Sequence, residues 1–345
     1  MMNAPKGAEV LAQVTRGELA ESFHRGHVAV VRADGAVVAW VGDERFRTYW
    51  RSAAKPIQAL AVLTTGAADR FHFTDPELAV MAASHAGEDE HVQAVQSILH
   101  KAGLTEAALQ CGTHPPVTAE MARRLILAGR EPEPVQCNCS GKHAGMLAVA
   151  AHLGFPVEGY LRPSHPVQQI MLSLVADFCS LPAKEIILGV DGCGVPVFGL
   201  PLAAMALAYA RLAHPDQAKA EYGPAVRRLT GAMLRHPEMV SGRGRFTTEL
   251  MVAAQGRVIA KCGAEGVFCL ALPEQGLGVA IKVEDGQSRP VPVVALEVLR
   301  QLGLDLTGEP GLKAYWQAPV RNNRGEAVGR ILPAFTLHWQ AGPLT

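Results

Sequence analysis

The chain has 345 residues, 49% hydrophobic and 19% charged, with acidic and basic residues balanced at 32 each. This is the composition of a folded protein, long enough for two lobes rather than one, and with a formal charge of zero nothing suggests a nucleic-acid footprint or an anionic membrane surface. Apolar runs such as Pro201–Ala210 are too short to span a bilayer, and Met1–Ser22 lacks the charged start and apolar core of a secretory signal, so a cytoplasmic protein is expected.

His27 to Val41 places two valine-rich runs around Ala33-Asp34-Gly35, which predicts a hairpin. A polar segment, Gly42 to Arg51, leads into Arg51-Ser52-Ala53-Ala54-Lys55-Pro56, the front of a helix running from Ser52 to about Thr65 and stopped by Gly66. Pro56 falls in its first turn, where a missing N–H costs little. Thr74-Asp75-Pro76-Glu77 starts the next helix, with a cap, a proline just inside and an acid at the positive end. It leads into Ala83-Ser84-His85-Ala86-Gly87. Further helices are predicted over Glu88–Ala102, from Thr118 to about Ala128 and from a Ser140 cap to Leu153, and Leu161–Pro166 is read as a connector and cap leading into a helix to about Cys179.

One strand, Ile186–Val190, interrupts this region and ends in the tight turn Asp191-Gly192-Cys193-Gly194-Val195-Pro196. Helical patterns resume over Leu202–Leu212, Pro224–Leu234 and Thr248–Ala254. Short strands follow at Arg257–Lys261, Val267–Leu272 and Gly278–Val283, then an apolar helix at Val291–Leu302 and a last strand at Arg330–Leu337. The expected fold class is therefore α/β (α+β): an antiparallel sheet from the N- and C-terminal strands and a helix-rich lobe. The expected division is a sheet lobe of residues 1–50 and 245–345, a helical lobe of 51–244, and an active-site cleft between them.

Ser52 and Lys55 share one helical face at i, i+3 spacing, and a serine nucleophile needs an adjacent base such as a desolvated lysine. Ser84, at a helix end, offers a second hydroxyl, although a solvent-facing turn is the blander reading. Cys137-Asn138-Cys139-Ser140-Gly141-Lys142-His143 gathers two thiols, an amine and an imidazole at a helix start, where a thiol gains thiolate character. Cys193 follows Asp191 on a glycine turn. Two cysteines on separate elements plus a His or Lys can make a partial zinc site, but no C-x-x-C or H-x-x-x-H is present, and spacing alone favours inert buried thiols. With seven cysteines irregularly spaced in a long chain, reduced thiols are expected rather than a disulfide framework. Lys261-Cys262-Gly263 at a strand end completes an order of S-x-x-K, serine, K-x-G similar to that of serine penicillin-recognising enzymes.

These motifs, together with Val14-Thr15-Arg16-Gly17, Glu21-Ser22 and His24-Arg25-Gly26-His27, resemble the L-asparaginase II family of the rhizobial inducible, thermolabile type. The resemblance implies a fold similar to serine β-lactamases, penicillin-binding proteins and glutaminases, assembled as a homodimer. It implies hydrolysis of L-asparagine to L-aspartate and ammonia, with Ser52 and Lys55 as one Ser–Lys tandem and Ser84 and Lys261 as the second. It further implies a zinc site of Cys139, Lys142 and Cys193, with Asp191 reaching a metal-bound water, and leaves Arg51 to steady the substrate carboxylate. Cys137 and Cys262 depart from the family pattern. Two other readings stay open: another serine–lysine acyl hydrolase of β-lactamase or esterase type, and a non-catalytic zinc-binding sensor on the same fold.

Overall fold

A computed structural model describes residues 7–340, which divide into two units. The first comprises residues up to Ala53, Leu200–His214 and the chain from Glu249 onward. The second comprises Ala54–Gly199 and Pro215–Thr248.

The first unit is built on an antiparallel sheet. Its strands run, in spatial order, Pro319–Arg321, Ala327–Pro333, Glu9–Arg16, Leu19–Arg32, Leu277–Val283, Val267–Leu272 and Ile259–Cys262. Val37–Val41 also pairs with Leu19–Arg32, closing the predicted hairpin. At its tip Gly35 donates to the Arg32 carbonyl and the Asp34 carboxylate accepts from Ala36 N, an Asx turn that explains the Asp-Gly signal. The register sets Val28 against Ile281 and Val30 against Val279.

Every residue of Val267–Leu272 and of Leu277–Val283 is buried. Helices Leu202–Ala213 and Val291–Gln301 both pack against these two strands, which is why the sequence there is apolar, Lys282 excepted, rather than alternating. Leu202–Ala213 thus belongs with the sheet, although it reads in sequence as part of the helical insertion.

The second unit is helical around two central segments, Lys55–Thr64 and Ser140–Leu153. All residues from Lys55 to Val62 and from Ser140 to Ala150 are buried, as expected of helices apolar on every side. They pack on one another, and Asp75–Met81, Asp89–Lys101 and Pro166–Cys179 pack around them. Among the described residues no helix is long and apolar enough to cross a membrane.

Two predicted helix starts are corrected. The segment Arg51–Ala54 is a 3-10 turn, and the α-helix begins at Lys55. Pro56 has no N–H to give the Ser52 carbonyl, so the i→i−4 ladder cannot begin one turn earlier. Ser140 is the first residue of its helix rather than its cap; Cys139 precedes it, and the Ser140 hydroxyl donates to the Val135 carbonyl at 2.7 Å. The start at Thr74 is as predicted, and its acid does more than favour the helix dipole. The Glu77 carboxylate accepts from Thr74 N at 2.7 Å, Ser97 Oγ at 2.6 Å and Lys101 Nζ at 2.7 Å.

Burial alone would push the Glu77 carboxyl up, but these hydrogen bonds outweigh it and hold the group below its ordinary range. A carboxyl depressed on folding stabilises the protein above its unfolded pKa, and that stability is lost as pH falls through the folded value. Glu77→Gln is expected to lower unfolding stability by about 2 kcal/mol at neutral pH. The difference from wild type should shrink once the pH drops below about 4, read by urea titration across pH 3–7.

Candidate active site

Lys55 is 1% exposed, and its amine lies against three oxygens of the helical unit. It donates to Ala83 O at 2.7 Å, Ser84 Oγ at 3.0 Å and Asn138 O at 3.3 Å. The two carbonyls can accept and never donate, so they fix two N–H bonds of the amine. The third tetrahedral direction faces the Ser84 hydroxyl. In a neutral amine that direction holds the lone pair, and the serine proton is then aimed at it.

Ser84 is fixed from several sides. Helix Asp75–Met81 ends just before it, and Ser84 N donates to Val240 O at 3.0 Å. The Ser84 carbonyl accepts from Arg245 Nη1 at 3.0 Å. His85 is fully buried, and burial, with His91 and Lys55 nearby, pushes its pKa well below the ordinary range. As a neutral ring it accepts from Gly87 N at 3.1 Å through Nδ1, so Nε2–H donates to Ser140 Oγ at 2.9 Å. That bond ties the Ser84 loop to the start of helix Ser140–Leu153. Gly141 allows the same approach from the helix side: a Cβ there would lie 2.2 Å from Val80 O.

One residue on, the same helix start carries the thiol cluster. Lys142 Nζ donates to Cys193 Sγ at 3.1 Å. The Cys137 and Cys193 thiols both hydrogen-bond to Cys139, which draws Cys139 well below the ordinary thiol range against the effect of burial. Cys193 is pushed up by that same bond and by burial. Burial would lower the Lys142 pKa, but Cys193, Cys139 and Asp191 together raise it. These interactions favour a thiolate on Cys139 and an ammonium on Lys142. Cys137 also hydrogen-bonds Cys111, which lowers Cys111 despite burial. His143 is tied into the helix by Tyr160, whose hydroxyl accepts from Gln110 N at 2.9 Å and donates to His143 Nδ1 at 2.7 Å.

Of the predicted residues, Lys55, Ser84, Cys139, Lys142 and Cys193 fall in the helical unit, in the two clusters above. Asp191, in the same unit, turns its carboxylate back on Gly192 N at 2.9 Å, within electrostatic reach of Lys142. Arg51, Ser52 and Lys261 fall in the sheet unit. Arg51 has a left-handed φ of 53°, and its Nη1 lies 4.0 Å from Glu265 Oε1. Lys261 is buried on strand Ile259–Cys262 and donates to Cys262 O at 2.8 Å. Sequence reasoning did not single out the Ala83 and Asn138 carbonyls, His85 or Arg245. The first two act through backbone oxygens, which leave no side-chain signal.

The converging groups at the second cluster are two sulfurs and one nitrogen, the donor types that zinc prefers. Among the described residues no group of three or more His, Cys, Asp or Glu is placed to hold a metal ion.

A basic amine aimed at a serine hydroxyl, beside a thiol–amine cluster, is the class of site that the fold carries. The L-asparaginase II family matches residues 12–333, and the chain belongs to that family. Comparison with curated proteins gave no match. Among solved structures, Mglu in its glutamate form is 16% identical over 82% of this chain, with a TM-score of 0.38; this chain spans 62% of its length. A β-lactamase from Mycobacterium bovis is 14% identical over 80% of this chain and 94% of its own, TM-score 0.39. A putative β-lactamase from Bacteroides dorei is 13% identical over 80% and 93%, TM-score 0.41. Likeness at that level carries no functional conclusion.

Lys55→Met leaves the buried Ala83 and Asn138 carbonyls without their donor and is expected to cost about 2 kcal/mol of stability. Ser84→Ala leaves both carbonyls bonded to Lys55 and should cost under about 1 kcal/mol. Chemical denaturation of the two variants measures the contrast; equal losses would mean that the carbonyls do not depend on the amine.

Proposed function

We propose that this chain is an L-asparaginase, hydrolysing L-asparagine to L-aspartate and ammonia through a serine acyl-enzyme. The observation that carries the reading is the buried Lys55 amine directed at Ser84 Oγ at 3.0 Å, in a chain of the L-asparaginase II family. Family membership supports hydrolysis of an amide; the choice of asparagine is the finer step of the proposal.

Ser52, three residues ahead of Lys55 in the chain, is the nucleophile. Lys55 takes its proton as Ser52 Oγ attacks the side-chain carboxamide, and a tetrahedral oxyanion forms. Backbone N–H groups, that of Ser52 among them, stabilise this oxyanion. The C–N bond then breaks, the proton reaches the departing nitrogen through Ser84 and Lys261, and water hydrolyses the aspartyl ester. Arg51 steadies the substrate carboxylate.

The Lys55–Ser84 hydrogen bond gives the opposite order of attack a specific footing, with Ser84 as the nucleophile. Acid-quenched enzyme digested and mapped by mass spectrometry separates the two, because the aspartyl group stays on the attacking serine.

Cys139, Lys142 and Cys193 would hold zinc, with Asp191 beside them. When bound, zinc supplies a Lewis-acidic centre that organises the cleft. Lys142 must lose its proton to coordinate, so zinc uptake should release protons and weaken as pH falls. Metal analysis of Cys139→Ser, with dye-monitored proton release on zinc addition to wild type, checks this without reference to turnover. Zinc content unchanged by the substitution would remove these ligands from consideration.

Ser52→Ala is expected to reduce ammonia release from L-asparagine by at least about 10³-fold while the circular dichroism spectrum stays unchanged. Near-normal release by that variant, with no aspartyl adduct on Ser52 of the wild-type enzyme, would overturn the assignment of the nucleophile. Activity on nitrocefin or p-nitrophenyl acetate, with none on L-asparagine, would overturn the substrate.

A further inference from the structure

The segment that brings the Asn138 carbonyl to Lys55 is held in turn by a neighbouring loop, and side chains make the contacts. The Cys111 thiol donates to Pro134 O at 3.3 Å, and the Cys137 thiol donates to Cys111 O at 3.8 Å. Asn138 N donates to His114 Nε2 at 3.0 Å. The loop runs on into Pro115 and Pro116, which have no N–H to offer a backbone ladder. Thiols are weak donors, so the imidazole is the strong tie of the three.

His114 is fixed in one tautomer. Its Nδ1 lies 2.7 Å from the Pro115 carbonyl, which can only accept, so Nδ1 carries the proton. Nε2 is then a lone pair, as the Asn138 N–H requires. Asn138 is thereby gripped at both ends. Its N–H is held by the imidazole, and its carbonyl faces Lys55 Nζ at 3.3 Å. Fixing both groups of one residue fixes the two backbone dihedrals between them, and with these the direction of the carbonyl.

That direction matters to the amine. With Ala83 O as its sole backbone acceptor, a neutral Lys55 could turn about its Cε–Nζ bond and exchange an N–H for its lone pair. A second carbonyl at a fixed place removes this freedom. We propose that His114 is a positioning residue for Lys55: by holding Asn138 N it keeps the Asn138 carbonyl on the amine and the lone pair in one direction. The proposal rests on the reading of Lys55 as the base of acyl transfer. It adds a residue that acts on the base through another residue's backbone, with no side-chain contact to the amine.

Ammonia release from L-asparagine is measured for wild type, His114→Gln and His114→Leu. Glutamine keeps an acceptor at about the reach of Nε2, whereas leucine keeps bulk and loses the acceptor. His114 lies half-exposed on a loop, so both chains should fold. A positioned base supplies about 10²–10⁴-fold, and His114→Leu is expected to lose about 10- to 100-fold in kcat with KM within about twofold. His114→Gln should stay within about fivefold of wild type. Equal losses in the two variants, a change confined to KM, or no loss in His114→Leu would overturn the proposal.

A second measurement needs no turnover. Urea titration compares His114→Leu, Lys55→Met and the double variant. If the imidazole acts on the amine through Asn138, the double variant loses less stability than the two single losses together. Additive losses would overturn the proposal. Non-additive losses in a chain that releases no ammonia from L-asparagine would sink the hydrolase reading and leave the link from His114 to Lys55 standing.

Discussion

The amine of Lys55 sets the terms for the helical unit. An amine taken out of water must recover its hydrogen bonds from the protein, or the loss would exceed what burying its stem gains. Here two of the three partners are backbone carbonyls at interruptions of regular structure: Ala83 just past the end of one helix, Asn138 just ahead of another. Carbonyls outside a helical ladder have no intrahelical donor to share and are open to a buried amine. The ends of Asp75–Met81 and the beginning of Ser140–Leu153 are therefore bound to where Lys55 can reach. His85 to Ser140 Oγ and Arg245 to Ser84 O hold the same junction from the other side. The hydroxyl of Ser84 is placed by this backbone arrangement together with its hydrogen bond from Lys55.

The thiol cluster follows from the same junction. Cys139 caps the helix whose preceding residue supplies a carbonyl to Lys55, and Lys142 comes one turn later. The unit thus buries two lysines close to one sulfur, and Cys139 feels both electrostatically. A thiolate at that position balances charge that would otherwise be costly in the interior. Cys137, which departs from the family pattern, and Cys111 extend the set of interacting sulfurs. The Cys137 thiol donates to the Cys111 carbonyl at 3.8 Å, and Cys137 and Cys193 together draw Cys139 toward the thiolate form.

How far these features were legible in the sequence depended on whether side chains or backbone carried them. The hairpin at Asp34-Gly35, the Thr74 helix start and the strands Val267–Leu272 and Leu277–Val283 announce themselves through turn chemistry and apolar runs. Strand Glu9–Arg16 did not, because its half-buried positions mix charged and apolar residues irregularly around a bulge with its neighbour. Pro196–Pro201 was missed because prolines stand at both its ends. The S-x-x-K motif is legible as a spacing, yet i, i+3 logic assumes a helix where Pro56 enforces a 3-10 turn. What the spacing could not convey is that Lys55 is hydrogen-bonded to Ser84, a partner twenty-nine residues on. That contact requires two helix ends to meet, and no local pattern encodes it.

Backbone strain adds an independent mark on the sheet unit. Among the described residues six non-glycine positions have positive φ, and two of them, Arg51 and Glu265, face each other at 4.0 Å. Each such conformation costs about 1–3 kcal/mol and persists only where the surroundings impose it. The imposing contacts at Glu265 can be named: Lys282 on its carbonyl, the close backbone of Gly286 beneath its carboxylate, and the Gly263 approach to Trp50. A turn needed only to join two strands could use glycine here at no steric cost, as it does one residue later at Gly266.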